Sequence, residues 1–124
     1  MKKLILTLAL INLTFATQAF AGVSNGVLNE EEEQAFQTSC TELEVNDEQC
    51  KCIFEYTLKE MTLEKLKIAL LAQIANKYEL AEDFAKSDEL MKKSSELAGS
   101  AEAGLAIDNQ FYDTTDASAE ECVK

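Results

Sequence analysis

The chain has 124 residues and a formal charge of −12, with 23 acidic residues against 11 lysines and no arginine, histidine, tryptophan or proline. Without histidine there is no Ser-His or Cys-His nucleophile pair and no imidazole proton shuttle, and without arginine there is no bidentate fork for phosphate or carboxylate. The negative charge argues against nucleic acid and anionic lipid, and the four glycines show no phosphate-loop spacing.

The chain opens on Lys2 and Lys3, runs through an uncharged, mostly apolar stretch from Leu4 to about Thr17, and reaches Ala19-Phe20-Ala21. Those are the charged start, apolar centre and A-x-A exit of a secretory signal peptide, which predicts cleavage after Ala21. The apolar run is shorter than the roughly 18–20 residues of a spanning helix, so no stable membrane anchor is expected. Gly22 after the cut gives no cysteine for lipidation. The short Lys-Lys signal points to a bacterial periplasm, or to secretion. The mature chain would hold 103 residues (124 − 21), and losing Lys2 and Lys3 leaves nine lysines against 23 acids, a charge of −14. A domain this small buries about two thirds of its unfolded surface, so covalent cross-links would help it fold.

Beyond the signal, abundant Ala, Leu, Glu, Lys and Gln, the absence of proline and the lack of alternating β-branched runs predict an all-α fold. The expected architecture is a small disulfide-stapled bundle of three to four helices over residues 29–106, with a flexible lead-in over 22–28. Asn29 caps a first helix whose Glu30 to Glu33 match the positive end of the helix dipole, and Phe36, Cys40 and Leu43 form its apolar stripe. Asn46 with Gln49 three residues on reads as a capping box for a second helix ending near Met61. Thr62 caps a third, with Leu63, Leu66, Leu70, Ile74 and Tyr78 on one face, broadened by Ala69 and Leu71. A fourth stretch carries Leu80, Phe84, Met91 and Leu97, and the sequence leaves open whether it continues the third. Residues 107–124 read as a loosely structured tail, anchored by Phe111 and Tyr112 and tethered through Cys122.

Four cysteines in an exported chain are first evidence for disulfides. A Cys50–Cys52 bridge would strain a helix on which the two side chains point roughly 200° apart. The two remaining pairings both tie Cys40 to the second helix and leave Cys122 for the other thiol. Cys50 lies at the centre of the apolar face, near Phe54, Thr57 and Met61, whereas Cys52 lies outside with Tyr56 and Lys59. Facing stripes therefore favour Cys40 with Cys50 and Cys52 with Cys122. The competing chemistries are weaker. The spacings match no zinc pattern, and a redox C-x-x-C in a thioredoxin-like frame is missing.

The segment from Phe36 to Leu66, FQTSC followed by QCKCIFEYTLKEMTLEKL, resembles a pattern in small exported bacterial helical proteins, in which one Cys precedes a C-x-C and an amphipathic helix. That resemblance covers about thirty residues and lends no catalytic residue. The C-x9-C hairpins of mitochondrial import substrates share the Cys40–Cys50 spacing, but they need a second C-x9-C that this chain lacks.

Adjacent acids such as Glu82 with Asp83, or Asp88 with Glu89, diverge on a helix and read as a solvated face, as does Lys77 with Tyr78. The expectation is a non-catalytic protein-binding module without cofactor or bound metal, of the inhibitor or immunity type, facing a basic protein partner. The alternatives are a periplasmic acid-stress chaperone, whose carboxylates would lose charge at low pH, and a thiolate metal-binding protein.

Overall fold

Helices begin in this chain where a side chain can accept the amides that a first turn leaves unbonded. In a computed structural model, which describes residues 23–123, Asn29, Asn46, Thr62 and Asp83 each accept a hydrogen bond from the amide three residues on. They open α1 (Glu30–Glu42), α2 (Asp47–Glu60), α3 (Leu63–Leu80) and α4 (Phe84–Ala98). Asn29 with Glu32, and Asn46 with Gln49, close reciprocal capping boxes. A fifth helix, α5 (Ala101–Val123), follows Gly99, whose φ of 103° ends α4 in the left-handed region open to glycine. The described residues contain no strand.

The turns after α1 and α3 share one construction. Val45 N–H donates to Cys40 O and Glu44 N–H to Thr41 O; Asp83 N–H donates to Tyr78 O and Glu82 N–H to Glu79 O. These pairs form Schellman motifs, which place one residue in the left-handed region. Here that residue is not glycine: Glu44 has φ 59° and Glu82 has φ 63°. The second motif, backed by the Asp83 cap, separates α3 from α4.

The core gathers Phe36 and Cys40 from α1, Cys50, Ile53 and Phe54 from α2, Leu66, Ala69 and Leu70 from α3, and Phe111 from α5, with Met61 at the α2–α3 turn. Phe36 is its centre, meeting Phe54 edge-on at 5.3 Å and Phe111 at 6.2 Å between ring centroids. Such contacts add about 0.5–1.5 kcal/mol each beyond the area buried.

Three expectations are corrected. The bundle has five helices among the described residues, not three to four. Residues 107–123 are not a loose tail: α5 passes without a break through the expected boundary at 106 and packs on α2, α3 and α4. Its buried stripe is Phe111, Thr115 and Ser118, flanked by half-buried Ile107, Ala119 and Cys122. The lead-in is also folded. Asn25 and Gly26, with φ 54° and 80°, make a tight turn closed by Val27 N–H to Ser24 O at 3.2 Å, as Asn-Gly pairs favour. The turn lays Val23 and Leu28 into the core. The expected signal segment, residues 1–21, lies outside the described residues, as does Gly22.

The fourth helix departs from expectation in its facing. Of the stripe read from the sequence, Leu80 is 79% exposed, Phe84 58% and Leu97 55%, while Ser87 and Ser94 are buried against the body. Ser94 Oγ donates to Ile68 O of α3 at 3.1 Å. Small serines allow α4 to lie close along α3, its main neighbour, while the larger Phe84 and Leu97 of α4 stay exposed.

Candidate functional site

All four cysteines are oxidised. Cys40 is bonded to Cys50, with Cα atoms 5.7 Å apart, and Cys52 to Cys122, at 5.8 Å. The first bridge is buried beside Phe36. The second lies at the surface, where Cys52 is exposed, and fastens the end of α5 to the start of α2. Paired sulfurs offer no thiolate to a metal, and no three His, Cys, Asp or Glu side chains converge as ligands among the described residues. Two disulfides point to an oxidising or non-cytoplasmic environment, and no helix among the described residues is long and apolar enough to cross a membrane.

The acidic first turn of α1 divides its work. Glu32 closes the cap on Asn29 and stands 3.9 Å from Lys67. Glu33 is buried, and its carboxylate accepts the amides of Val23 (3.1 Å) and Ser24 (3.0 Å) and the Ser24 hydroxyl. Ser24 Oγ in turn accepts from Leu28 N–H. This is a structural use of an acid that dipole matching alone does not predict: Glu33 fixes the entering chain. Glu30 and Glu31 remain exposed.

Between α1 and α3 runs an open groove of about 360 Å³. Buried Ile74 and half-buried Ala35 form its floor, and the exposed Leu80 and Ala81 also line it. Glu31 and Glu42 stand on the α1 wall and Lys77 on the α3 wall. Tyr78 also lines it, donating its hydroxyl to Glu31 Oε2 at 3.2 Å, a bond that raises the phenol's pKa because ionisation would break it and set two anions together.

Gln73 and Asn76 on α3 also line a second, more polar recess of about 330 Å³, which reaches Met91, Asp108 and Tyr112. Gln73 Nε2 donates to Asp108 Oδ1 at 3.2 Å and to the Tyr112 oxygen at 2.8 Å, tying α3 to α5. Half-burial raises the pKa of Asp108, partly offset by that bond.

The sequence reads Lys77, Glu82 and Asp83 as solvated surface, and Tyr78 both as the end of the apolar face of α3 and as an unremarkable neighbour of Lys77. The structure brings Lys77 and Tyr78 into the groove and uses Glu82 and Asp83 to end α3 and start α4. The cysteines lie apart from the groove. Nothing local marks the groove in the sequence, since its walls come from segments more than thirty residues apart. No protein-family model, no curated protein and no solved structure matches the chain.

Proposed function

We propose that the protein is exported to the bacterial periplasm and acts there without catalysis, by binding a basic protein partner as an inhibitor or immunity-type protein does. The carrying observation is the open groove, whose apolar floor is bordered by Glu31 and Glu42 on a body with 23 carboxylates and only eight lysines among its described residues. Eight ammonium groups cannot neutralise that field, so a positively charged protein is steered toward it and an anionic one is repelled. The signal-like start and the resemblance to small exported helical proteins support the compartment, and the disulfides agree with it. The missing histidine and arginine support the non-catalytic part of the reading.

The test immobilises the oxidised chain and challenges it with periplasmic extract from its own host, divided beforehand on a cation exchanger. A partner from the retained fraction is expected, one that reconstitutes as a purified complex whose Kd rises with salt. A partner found only in the unretained fraction, binding with salt-independent affinity, would refute the basic-partner reading.

A further inference from the structure

Resting on that reading, we infer that the groove between α1 and α3 is the seat of a cationic amphipathic helix of the partner protein. Three observations converge on this occupant. The floor is apolar, and a volume of about 360 Å³ is too small to enclose a helix but large enough for the apolar side chains of one face. Glu31 and Glu42 both line it and stand eleven residues apart on α1, about 16 Å at the helical rise. A segment laid along that wall thus meets apolar floor at its middle and a carboxylate near each end. That layout suits about three helical turns with apolar anchors at i, i+3 or i+4 and i+7, and lysine or arginine at the margins. The described residues contain no strand that could pair with an extended peptide.

Charge decides among occupants. A second copy would bring together two bodies that each carry 23 acids against eight lysines over the described residues, and an anionic lipid surface would be repelled in the same way. Lys77 stands on the α3 wall, which makes α1 the side where cations gain most. Leu80, a lining residue that is 79% exposed, adds apolar surface to that of the floor.

The probe is a synthetic Leu/Lys peptide about four turns long with helical periodicity, compared with a scrambled peptide of equal composition and a Leu/Glu counterpart. Binding is followed by calorimetry and by amide shifts of the folded, oxidised chain. Saturable 1:1 binding is expected, with shifts centred on Gln34, Thr38, Gln73 and Lys77. Thr38→Arg, which places bulk and positive charge on an exposed groove position, should weaken it at least about tenfold. Ala117→Arg, the same charge change on the exposed side of α5, should alter it by less than about twofold, and Lys77→Gln should tighten it.

Equal weakening by both arginine variants, or equal affinity for the scrambled peptide, would mean attraction by overall charge. The groove assignment would then fall while the basic-partner reading stood. Equal affinity for the Leu/Glu peptide would overturn the cationic occupant, and no binding of the Leu/Lys peptide at low salt would overturn the seat itself. A dimer of the free protein that Thr38→Arg dissociates would assign the groove to a second copy and overturn the proposal. Circular dichroism of each variant checks that the fold is kept.

Discussion

Replacing Cys52 and Cys122 together with serine isolates what the long bridge contributes. Cys52 is exposed and Cys122 only half-buried, so the change opens no cavity in the core. The expected cost arises in the unfolded chain, which the bridge closes into a loop spanning 70 positions. Loop-closure entropy gives about 4 kcal/mol for a loop of that size, against about 3 kcal/mol for the ten-position loop of Cys40–Cys50. For a domain of about one hundred residues this is a large share of the 5–15 kcal/mol that typically separates folded from unfolded. Phe111 of α5, fully buried against Phe36, should keep α5 docked in the native state. Far-UV circular dichroism at 25 °C should therefore be nearly unchanged. Urea unfolding should show a lower midpoint and a larger m-value, because the released chain expands further, and Tm should fall by roughly 20 °C or more. A loss below about 1.5 kcal/mol with an unchanged m-value would refute the unfolded-state origin. Loss of helical signal before denaturant is added would show that the bridge, not Phe111, holds α5.

Phe111→Ala should cost about 3–5 kcal/mol in the same unfolding assay, since it removes a fully buried ring and its contact with Phe36. Asn46→Ala removes the Asn46 carbonyl oxygen that accepts Gln49 N–H and should cost about 1 kcal/mol. Glu82→Gly should stabilise by about 0.5–1 kcal/mol, because an exposed residue held at φ 63° pays a steric cost that glycine avoids. Asp108 has a folded pKa above its unfolded one, so the folded state holds the proton more tightly and stability from this group falls as pH rises through that interval. Asp108→Asn, which can still accept from Gln73, should therefore stabilise at pH 7. The difference should shrink as pH falls below the unfolded value near 3.8, as thermal melts at pH 3 and pH 7 would show.

Local chemistry was readable in the residues wherever one side chain answers to one backbone group or one helical face. Asn29, Asn46 and Thr62 announce their helices, and the opposite facing of Cys50 and Cys52 follows from their spacing. Reading failed where a hydroxyl stands in for a hydrocarbon. Ser87 and Ser94 on α4, and Thr115 and Ser118 on α5, look like solvent-facing positions by hydropathy, yet all four are buried. Thr115 and Ser118 donate to carbonyls of their own helix, Tyr112 O and Thr114 O, and Ser94 to Ile68 O across the contact. Once its hydroxyl is satisfied, a small residue costs little to bury and allows close helix approach. A hydropathy stripe therefore picked Phe84 and Leu97 on α4 and missed α5 almost entirely. The groove was unreadable for another reason: it exists only where α1 and α3, distant in sequence, lie side by side.

The separation of Cys50 and Cys52 by a single residue also sets a problem in time. While the chain is still unfolded, Cys40 meets either thiol after closing loops of nearly equal size, so chain diffusion barely distinguishes them. Both closures are favoured over the one that joins Cys52 to Cys122, by roughly fourteen- to nineteen-fold from the loop-length relation. Selection between Cys50 and Cys52 must therefore come from folded structure, acting either before oxidation or through thiol–disulfide exchange afterwards. The natural candidate is the α1–α2 hairpin, whose Asn46 box starts α2 and whose Phe36–Phe54 contact turns Cys50 inward. Weakening that hairpin would show first in the covalent products, as a rise in chains joined through Cys40 and Cys52, before the finished protein lost measurable stability.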